Sequence, residues 1–149
     1  MAHGFGIVGC GMISRFHAKA IETLPNAKLV AAFARSQEQA EKFAAEFGCR
    51  AYHDMDAFLA DPELEIVTIC TPSGAHMEPA IAAANAKKDI YCEKPLTHCI
   101  SEGRKIVEAV KRNKVIFQTG SQQRSEFGGR FRQAVEVIRN GLIGQVKTV

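Results

Sequence analysis

The strongest constraint on the fold is a regular alternation of short apolar runs with segments of helical periodicity. The apolar runs lie at 5–9, 28–34, 49–53, 65–70, 89–93 and 115–120. Between them, apolar residues recur every three or four positions, as they do on the buried face of a helix. Strands that alternate with helices predict an α/β fold, in which right-handed crossovers build a doubly wound parallel sheet.

The sequence predicts which residues are buried in two of the helices. The residues expected to be buried in the first helix are Ile13, Phe16, Ala20, Ile21 and Leu24. Those expected to be buried in the helix at 101–112 are Gly103, Val107 and Val110. A last helix is marked by Phe131, Val135 and Ile138, and the segment GQVKTV at 144–149 is predicted to begin a further strand.

Composition and charge argue against several kinds of partner. The net charge is +3 and the basic residues are scattered, so we expect no nucleic-acid partner. No apolar stretch approaches the about 20 residues of a membrane span, and no basic leader precedes one, so we expect no membrane partner and a cytoplasmic protein. Five cysteines without C-x-x-C spacing predict free thiols in a reducing compartment. Cys92, His98 and Cys99 lack zinc-ligand spacing, so we expect no metal site.

The residues after the first apolar run form the glycine motif G-C-G-M-I-S. A dinucleotide-binding fingerprint belongs at this junction between the first strand and the first helix. Gly9 would allow the tight turn, Gly11 would let a pyrophosphate approach the backbone, and amides at the helix start would face the anion. We therefore predict a Rossmann-type cofactor site that includes Met12, Ile13 and Ser14, with the Ser14 hydroxyl in reach of a phosphate. A tight turn without a ligand is the alternative.

The end of the second strand predicts which cofactor binds. An Asp or Glu there would bind the ribose 2′-hydroxyl of NAD, but this chain has Ala34, Arg35 and Ser36. The planar guanidinium of Arg35 suits the 2′-phosphate of NADP. We therefore predict NADP in preference to NAD, with these three residues in its site. The alternative is a solvated Arg35 and a Ser36 that only caps the second helix, in a capping box with Gln39.

Two later segments extend the pattern beyond a generic nucleotide fold. Thr-Pro at 71–72 with His76, and Glu-Lys-Pro at 93–95, each follow a strand, at the sheet edge where ligands bind. With the glycine motif, they resemble the Gfo/Idh/MocA family, which includes glucose–fructose oxidoreductase and inositol dehydrogenase. The resemblance extends over the whole chain. It implies an NAD(P)-dependent oxidoreductase that transfers hydride to or from a small-molecule sugar or cyclic polyol.

The resemblance also implies roles for the residues of both segments. Thr71, Pro72 and His76 would border the cofactor. Glu93 would lie near the nicotinamide ribose, and Lys94 would contact the cofactor and be the catalytic residue that exchanges the substrate hydroxyl proton. A lysine beside a cationic nicotinamide has a lowered pKa, which suits that role. A surface lysine beside a turn proline is the alternative for Lys94.

Two further predictions concern the backbone around these segments. The Lys94–Pro95 peptide bond is predicted to be cis, because X-Pro is the only common place for such a bond and a sharp turn would direct Lys94 into the crevice. Gln122 stands where the family frequently has Asn, so we predict a cofactor contact from its loop.

The resemblance divides the chain into a dinucleotide-binding domain at 1–121 and a connecting helix with a first strand at 122–149. The family's second, α+β domain, which supplies the substrate floor and a D-x-x-x-H segment, is missing from these 149 residues. We therefore expect the chain alone to bind cofactor but to be catalytically incomplete. An apolar surface around Phe117, Phe127 and Phe131 predicts self-association as a homo-oligomer.

Two other functions stay open at this point. The chain could be a stand-alone dinucleotide-binding module without catalysis, or a non-redox family member that uses bound NAD transiently for elimination or hydrolysis. Steady reduction of added NAD(P) would separate the redox enzyme from the non-redox one.

Overall fold

The computed structural model describes residues 2–122 and 127–148, except for the side chain of Phe127. It divides into two compact units, Met1–Thr119 and Gly120–Val149. The strands of the first unit are β1 (His3–Val8), β2 (Ala27–Phe33), β3 (Arg50–Tyr52), β4 (Ile66–Ile69), β5 (Asp89–Cys92) and β6 (Phe117–Thr119). Its helices are α1 (Met12–Glu22), α2 (Gln37–Phe47), α3 (Met55–Leu59), α4 (Met77–Asn85) and α5 (Ile100–Asn113).

The strands form one parallel sheet in the order β3-β2-β1-β4-β5-β6. The doubly wound fold predicted from the alternation is therefore confirmed. The strand order reverses between β1 and β4, which are neighbours in space although β2 and β3 lie between them in the chain. At this junction Val8 pairs with Ile69, so β1 and β4 reach the carboxyl edge of the sheet together. Ligands bind at such a reversal point in open α/β sheets.

The core has two layers, one on each face of the sheet. Alternating side chains of β1 point to opposite faces, so Ile7 belongs to one cluster and Val8 to the other. The cluster under α1 and α2 includes Ala18 and Phe43. The cluster under α3, α4 and α5 includes many small residues, which let the helices lie close to the strands. Both faces are thus covered, as a parallel sheet requires.

The predicted buried faces of two helices are wrong in part. In α1, Phe16 is 65% exposed and Ala20 is also exposed, whereas Ser14, Ala18 and Ile21 are buried. Leu24 is exposed and lies beyond the end of the helix. In α5, Val107 is exposed and the buried residues are Ile106 and Ala109. The physical reason is the same in both helices. Packing on the sheet decides which stripe of the helix is buried, and that stripe includes residues 14, 18 and 21 in α1 and residues 106 and 109 in α5, so the other apolar residues lie beside it.

The second unit contains a 3-10 turn, Phe127–Gly129, and the helix α6 (Arg130–Arg139). The predicted last helix is therefore confirmed. The strand predicted at 144–149 is wrong for its described part, because residues 144–148 have no ladder of backbone hydrogen bonds to a neighbouring strand. Val149 lies outside the described residues.

The apolar surface predicted around three phenylalanines is only partly present. Phe117 is half-buried and packs against the core, whereas Phe131 is exposed. The side chain of Phe127 lies outside the described part. None of the helices in the described ranges is both long and apolar enough to cross a bilayer.

Candidate functional site

The glycine turn lies at the carboxyl end of β1, beside the end of β4. Gly9 has φ +95, a left-handed conformation that disfavours other residues. A Cβ on Gly9 would also lie 2.9 Å from the amide nitrogen of Thr71, which is closer than carbon atoms tolerate. Both the turn and the approach of β4 therefore require glycine here. The tight turn predicted at Gly9 is confirmed.

Gly11 differs from Gly9, because no atom of the described residues, its chain neighbours and the backbone of its own helix aside, lies within 4 Å of where its Cβ would be. Gly11 is the N-cap of α1, and no side chain caps that end of the helix. The first amides of an α-helix lack partners within the helix, so an uncapped end in open space suits an anionic group. The residues around this turn therefore fit the pyrophosphate of a dinucleotide.

The hydroxyl of Ser14, which is predicted to be in reach of a phosphate, forms a hydrogen bond within the glycine turn. The Ser14 side chain is fully buried, and the hydroxyl donates to the Gly11 carbonyl oxygen at 2.5 Å. The hydroxyl is directed back into the turn because α1 lies close to the sheet at this point. Ser14 therefore acts on the shape of the glycine turn through its small size and this bond.

The end of β2 places one cation in solvent next to the turn. Ala34 is buried and its amide donates to the Tyr52 carbonyl at 3.1 Å. Arg35 is exposed, and its side chain forms no hydrogen bond or salt bridge with any residue of 2–122 or 127–148. The first carboxylate after it along the chain is Glu38, in the first turn of α2.

One of the two hydrogen bonds of the predicted capping box at α2 is present. Ser36 Oγ accepts from the Gln39 amide, as a capping residue does. The Gln39 side chain does not return to Ser36, because its amide nitrogen donates to the Cys10 carbonyl at 3.1 Å. That bond ties the start of α2 to the glycine turn, and the sequence alone gave no sign of it.

The loop after β4 is closed by its own hydrogen bonds. Thr71 Oγ1 donates to the Ala75 carbonyl at 2.8 Å, and the Ala75 amide donates to the Pro72 carbonyl at 3.0 Å. Thr71 is half-buried and Pro72 is exposed. The loop therefore presents a defined surface beside the glycine turn.

His76 lies beneath that surface and is 1% exposed. Its Nδ1 lies 2.8 Å from the Pro95 carbonyl oxygen and its Nε2 lies 2.8 Å from the Thr71 carbonyl oxygen. Both polar atoms of the ring are therefore used within the protein, between the loops that follow β4 and β5.

The Glu93 carboxylate is buried at the end of β5 and is paired with a histidine of α1. Glu93 Oε1 lies 2.7 Å from His17 Nε2, and Glu93 Oε2 accepts from the Lys94 amide at 3.2 Å. The His17 ring also packs against Tyr91 at 5.4 Å between ring centroids. No motif in the sequence points to a role for His17. Its position a single helical turn after Ile13, in the middle of α1, is the one local feature that places it near the glycine turn.

Two buried cysteines at this edge of the sheet are kept as thiols. Burial, and then the charge of Glu93, raise the pKa of Cys92 to about 12. Burial raises the pKa of Cys10 to about 12 as well. Thiols with such a pKa are poor nucleophiles, so these residues act as small apolar side chains.

Lys94 is exposed at the turn that follows β5, and its peptide bond to Pro95 is cis, as predicted. Its side chain forms no salt bridge within the described part of the chain. Gln122 belongs to the second unit, and its predicted cofactor contact stays a prediction. The carboxyl edge of the first unit thus brings together the glycine turn, Arg35, the Thr71 loop and Lys94.

Comparison with known proteins identifies relatives of the whole chain. The model of a family described as "Oxidoreductase family, NAD-binding Rossmann fold" matches residues 3–121. The chain is 33% identical over 144 residues to myo-inositol 2-dehydrogenase of Thermotoga maritima, a match that covers 94% of the chain and 42% of that protein. It is 36% identical over 141 residues to scyllo-inositol 2-dehydrogenase (NAD(+)) of Bacillus subtilis, covering 93% of the chain and 41% of that protein.

A solved structure is similar to this chain over nearly its whole length. The crystal structure of a putative NADPH-dependent oxidoreductase from Desulfitobacterium hafniense superimposes with a TM-score of 0.88 at 29% identity, covering 98% of the chain and 42% of that protein. The chain thus spans less than half the length of the relatives that it matches.

Proposed function

This chain belongs to the Gfo/Idh/MocA oxidoreductase family, and we propose that residues 1–121 bind a nicotinamide dinucleotide, NADP in preference to NAD, for hydride transfer to or from a sugar or cyclic polyol. The observation that carries the proposal is the glycine turn at the uncapped start of α1, at the point where the strand order reverses. An anion bound there meets backbone amides and the positive end of a helix.

The preference for NADP is supported by the charges beside that turn. Arg35 is an exposed guanidinium with no partner among the described residues, and no carboxylate lies at 34–36. A guanidinium donates two parallel hydrogen bonds to the 2′-phosphate of NADP. The 2′-hydroxyl of NAD does not need such a pair of donors. In this proposal Arg35 and Ser36 hold the 2′-phosphate, while Met12 and Ile13 lie along the cofactor.

The proposal places the nicotinamide half between Thr71–Pro72 and Lys94. A nicotinamide supplies a hydride acceptor or donor when it is bound. Lys94 would hold the hydroxyl or carbonyl oxygen of the substrate carbon and exchange its proton, because an exposed amine without a salt bridge is free to take up a new partner. Glu93 is buried against His17, so its part is to hold the backbone of Lys94 in place.

The extent of the domain is also part of the proposal. We assign 1–121 to dinucleotide binding and 122–149 to a connection that contains α6 and leads towards a substrate domain. Its support is the division into compact units after Thr119, close to the proposed boundary.

Titration with NADPH and with NADH, followed by the fluorescence of the reduced nicotinamide, tests the binding. The chain contains no Trp, so the cofactor signal is read without interference. We expect saturable binding of both, with NADPH bound more tightly. Gly11→Glu is the control, because open space lets the side chain fit while its charge repels a pyrophosphate. Wild-type protein that binds neither cofactor, or binds both as weakly as Gly11→Glu does, would overturn the proposal.

Hydride transfer is tested with a panel of sugars and cyclic polyols, with NADP and NAD, by cofactor absorbance at high protein concentration. The role given to Lys94 predicts that any turnover is lost in Lys94→Met while NADPH binding is kept. Turnover that persists in Lys94→Met would show that another group exchanges the proton.

A further inference from the structure

We infer that His76 is a positioning residue that fixes the Thr71 loop and the Lys94 turn relative to each other, without contacting the cofactor itself. The inference rests on the proposed function, since these two segments are the ones placed around the nicotinamide. It assigns His76 a different part from the one that the family resemblance implied, because its ring is buried between the two segments.

The ring is the direct link between the two segments. Nε2 lies 2.8 Å from the carbonyl oxygen of Thr71, directly after β4, and Nδ1 lies 2.8 Å from the carbonyl oxygen of Pro95, after β5. Both partners are carbonyl oxygens, and a neutral imidazole carries one N–H, so the ring donates to one of them and the tautomer decides which. The ring itself is 1% exposed, so its loss would leave a space between the two segments and remove the donor that binds their carbonyls.

The ring is itself held by a rigid element. His76 is the N-cap residue of α4, and its own carbonyl accepts the first helical bond from the Ala80 amide at 3.1 Å. α4 packs into the core through Ala80, Ala83 and Ala84, which are fully buried. The imidazole therefore projects from a fixed helix end, and it holds both segments in place relative to α4.

A second contact joins the same two segments on the solvent side. The ring of His98, after the Lys94 turn, lies over Gly74 so closely that a Cβ there would be 2.5 Å from His98 Cε1. This contact is exposed and lacks a hydrogen bond between the two residues, so it is the weaker one. It shows that the segments pack together along their length, with His76 as the buried link.

Amide hydrogen exchange tests the link without any ligand. Protected amides exist on both sides, since the Ala75 amide donates within the first segment and the Lys94 amide within the second. We expect His76→Ala to raise exchange in 71–75 and in 94–98 together. In His76→Asn the amide nitrogen takes the place of Nδ1, so exchange rises mainly in 71–75. In His76→Gln it takes the place of Nε2, so exchange rises mainly in 94–98.

Binding of two ligands tests the consequence for the cofactor. NADPH spans the whole proposed site, whereas 2′-phospho-ADP-ribose lacks the nicotinamide. We expect His76→Ala to weaken NADPH by about tenfold, the value of one lost hydrogen bond, and to leave the fragment within about threefold of wild type. The controls are His3→Asn and His3→Gln, at the opposite edge of the sheet, where His3 is exposed and bonds to Glu65.

The outcomes separate the inference from the proposed function. If wild-type protein binds neither ligand, the proposed function fails and the cofactor part of the inference fails with it. If wild-type protein binds both, and His76→Ala weakens both equally or neither, only the inference is overturned. Exchange that rises in 71–75 alone in His76→Ala also overturns it, because the two segments would then be independent. Should His76→Ala fail to fold, the Asn and Gln variants give the same test, each with an amide donor at one of the two ring-nitrogen positions.

Discussion

The two edges of the parallel sheet differ in how their charged side chains are paired. At the amino edge, the fully buried Asp61 carboxylate accepts from Arg50 Nε and Nη2 at 2.7 Å each and from the Tyr52 hydroxyl at 2.8 Å. Arg50 also meets Glu63, and His3 meets Glu65. Every charge in this group has an opposite partner within the chain.

The carboxyl edge contains cations without such partners. Arg35 and Lys94 are exposed and form no salt bridge within 2–122 and 127–148, and the amides at the start of α1 are uncapped. The Arg15–Glu46 and His17–Glu93 pairs are exceptions at this edge. An edge that pairs its charges internally contributes to stability, whereas one that leaves cations and amides unpaired is suited to bind an anion. Substitutions at the two edges should therefore have different effects.

The largest expected effect is on stability, at the amino edge. Asp61→Asn should lower the free energy of unfolding by about 2–3 kcal/mol, less than the about 3–5 kcal/mol for a fully buried pair, because Arg50 is half-exposed and regains water. Urea unfolding measures this loss. Glu63→Gln is the control, with an expected loss below about 1 kcal/mol because both partners are exposed. An equal loss in the two variants would mean that burial of Asp61 does not increase the contribution of its ion pair to stability.

The same carboxylate predicts the direction of a pH effect. Burial favours the protonated form of Asp61, but hydrogen bonds from Arg50 and Tyr52 outweigh burial and hold the pKa of Asp61 below its usual value. Its contribution is therefore present at neutral pH and is lost as the pH falls through the folded pKa. The difference in stability between wild-type protein and Asp61→Asn should shrink on acidification, and a difference that grows would contradict the assignment.

The next effect is on cofactor choice, at the carboxyl edge. Arg35→Ala should weaken NADPH binding by about 1–3 kcal/mol through loss of a charged hydrogen-bond partner, and leave NADH nearly unchanged. Cofactor fluorescence gives both affinities. Arg104→Ala, on the exposed face of α5, is the control and should change neither the NADPH nor the NADH affinity. Equal losses for the two cofactors in Arg35→Ala would remove the basis for preferring NADP.

A smaller effect separates the two glycines of the turn. Gly11→Ala should fold with wild-type stability, because its Cβ meets no atom within 4 Å, and should weaken NADPH by about tenfold through crowding of the pyrophosphate. Gly9→Ala should instead lose about 1–3 kcal/mol of stability from its left-handed backbone. Thermal unfolding and titration of both variants provide the test. A stable Gly9→Ala would show that the turn adapts to a Cβ.

The smallest effect is expected for a lysine at the carboxyl edge. Lys94→Met should change the free energy of unfolding by less than about 0.5 kcal/mol, as is usual for an exposed side chain without partners. Lys88→Met is the matched variant at the amino edge. It should lose about 1 kcal/mol, because Lys88 Nζ donates to the Leu64 carbonyl at 2.6 Å. If Lys94→Met is the more destabilising of the two, Lys94 has a structural role.

The sequence predicted the fold better than it predicted contacts within it. Strands such as 65–70 and the cap at Ser36 follow from local residue types, and the structure confirms them. The buried faces of α1 and α5 depend on what each helix packs against, so the exposure of Phe16 and Val107 had no local signal.

Contacts between residues that are far apart in the sequence are the part of the structure that was not predicted. His17 and Glu93 are 76 positions apart and meet only because α1 and the end of β5 come together in the folded sheet. The two bonds of His76 likewise require the end of β4 and the turn after β5 to be in place. No periodicity or spacing in the sequence encodes such pairs, whereas the glycine turn is local and could be predicted in detail.

The strand order also has a consequence for the order in which the protein is assembled. β1 is synthesised before β4, which is one of its two neighbours in the sheet, so the pairing of Phe5 with Ile66 forms only after β4 has been made. The glycine turn waits as well, because it packs against the Thr71 amide. Pairing between such distant segments is slow, since a long loop must close first. The carboxyl edge of the sheet therefore forms only after the fourth strand has been made, and until then β1 lacks one of its two neighbours.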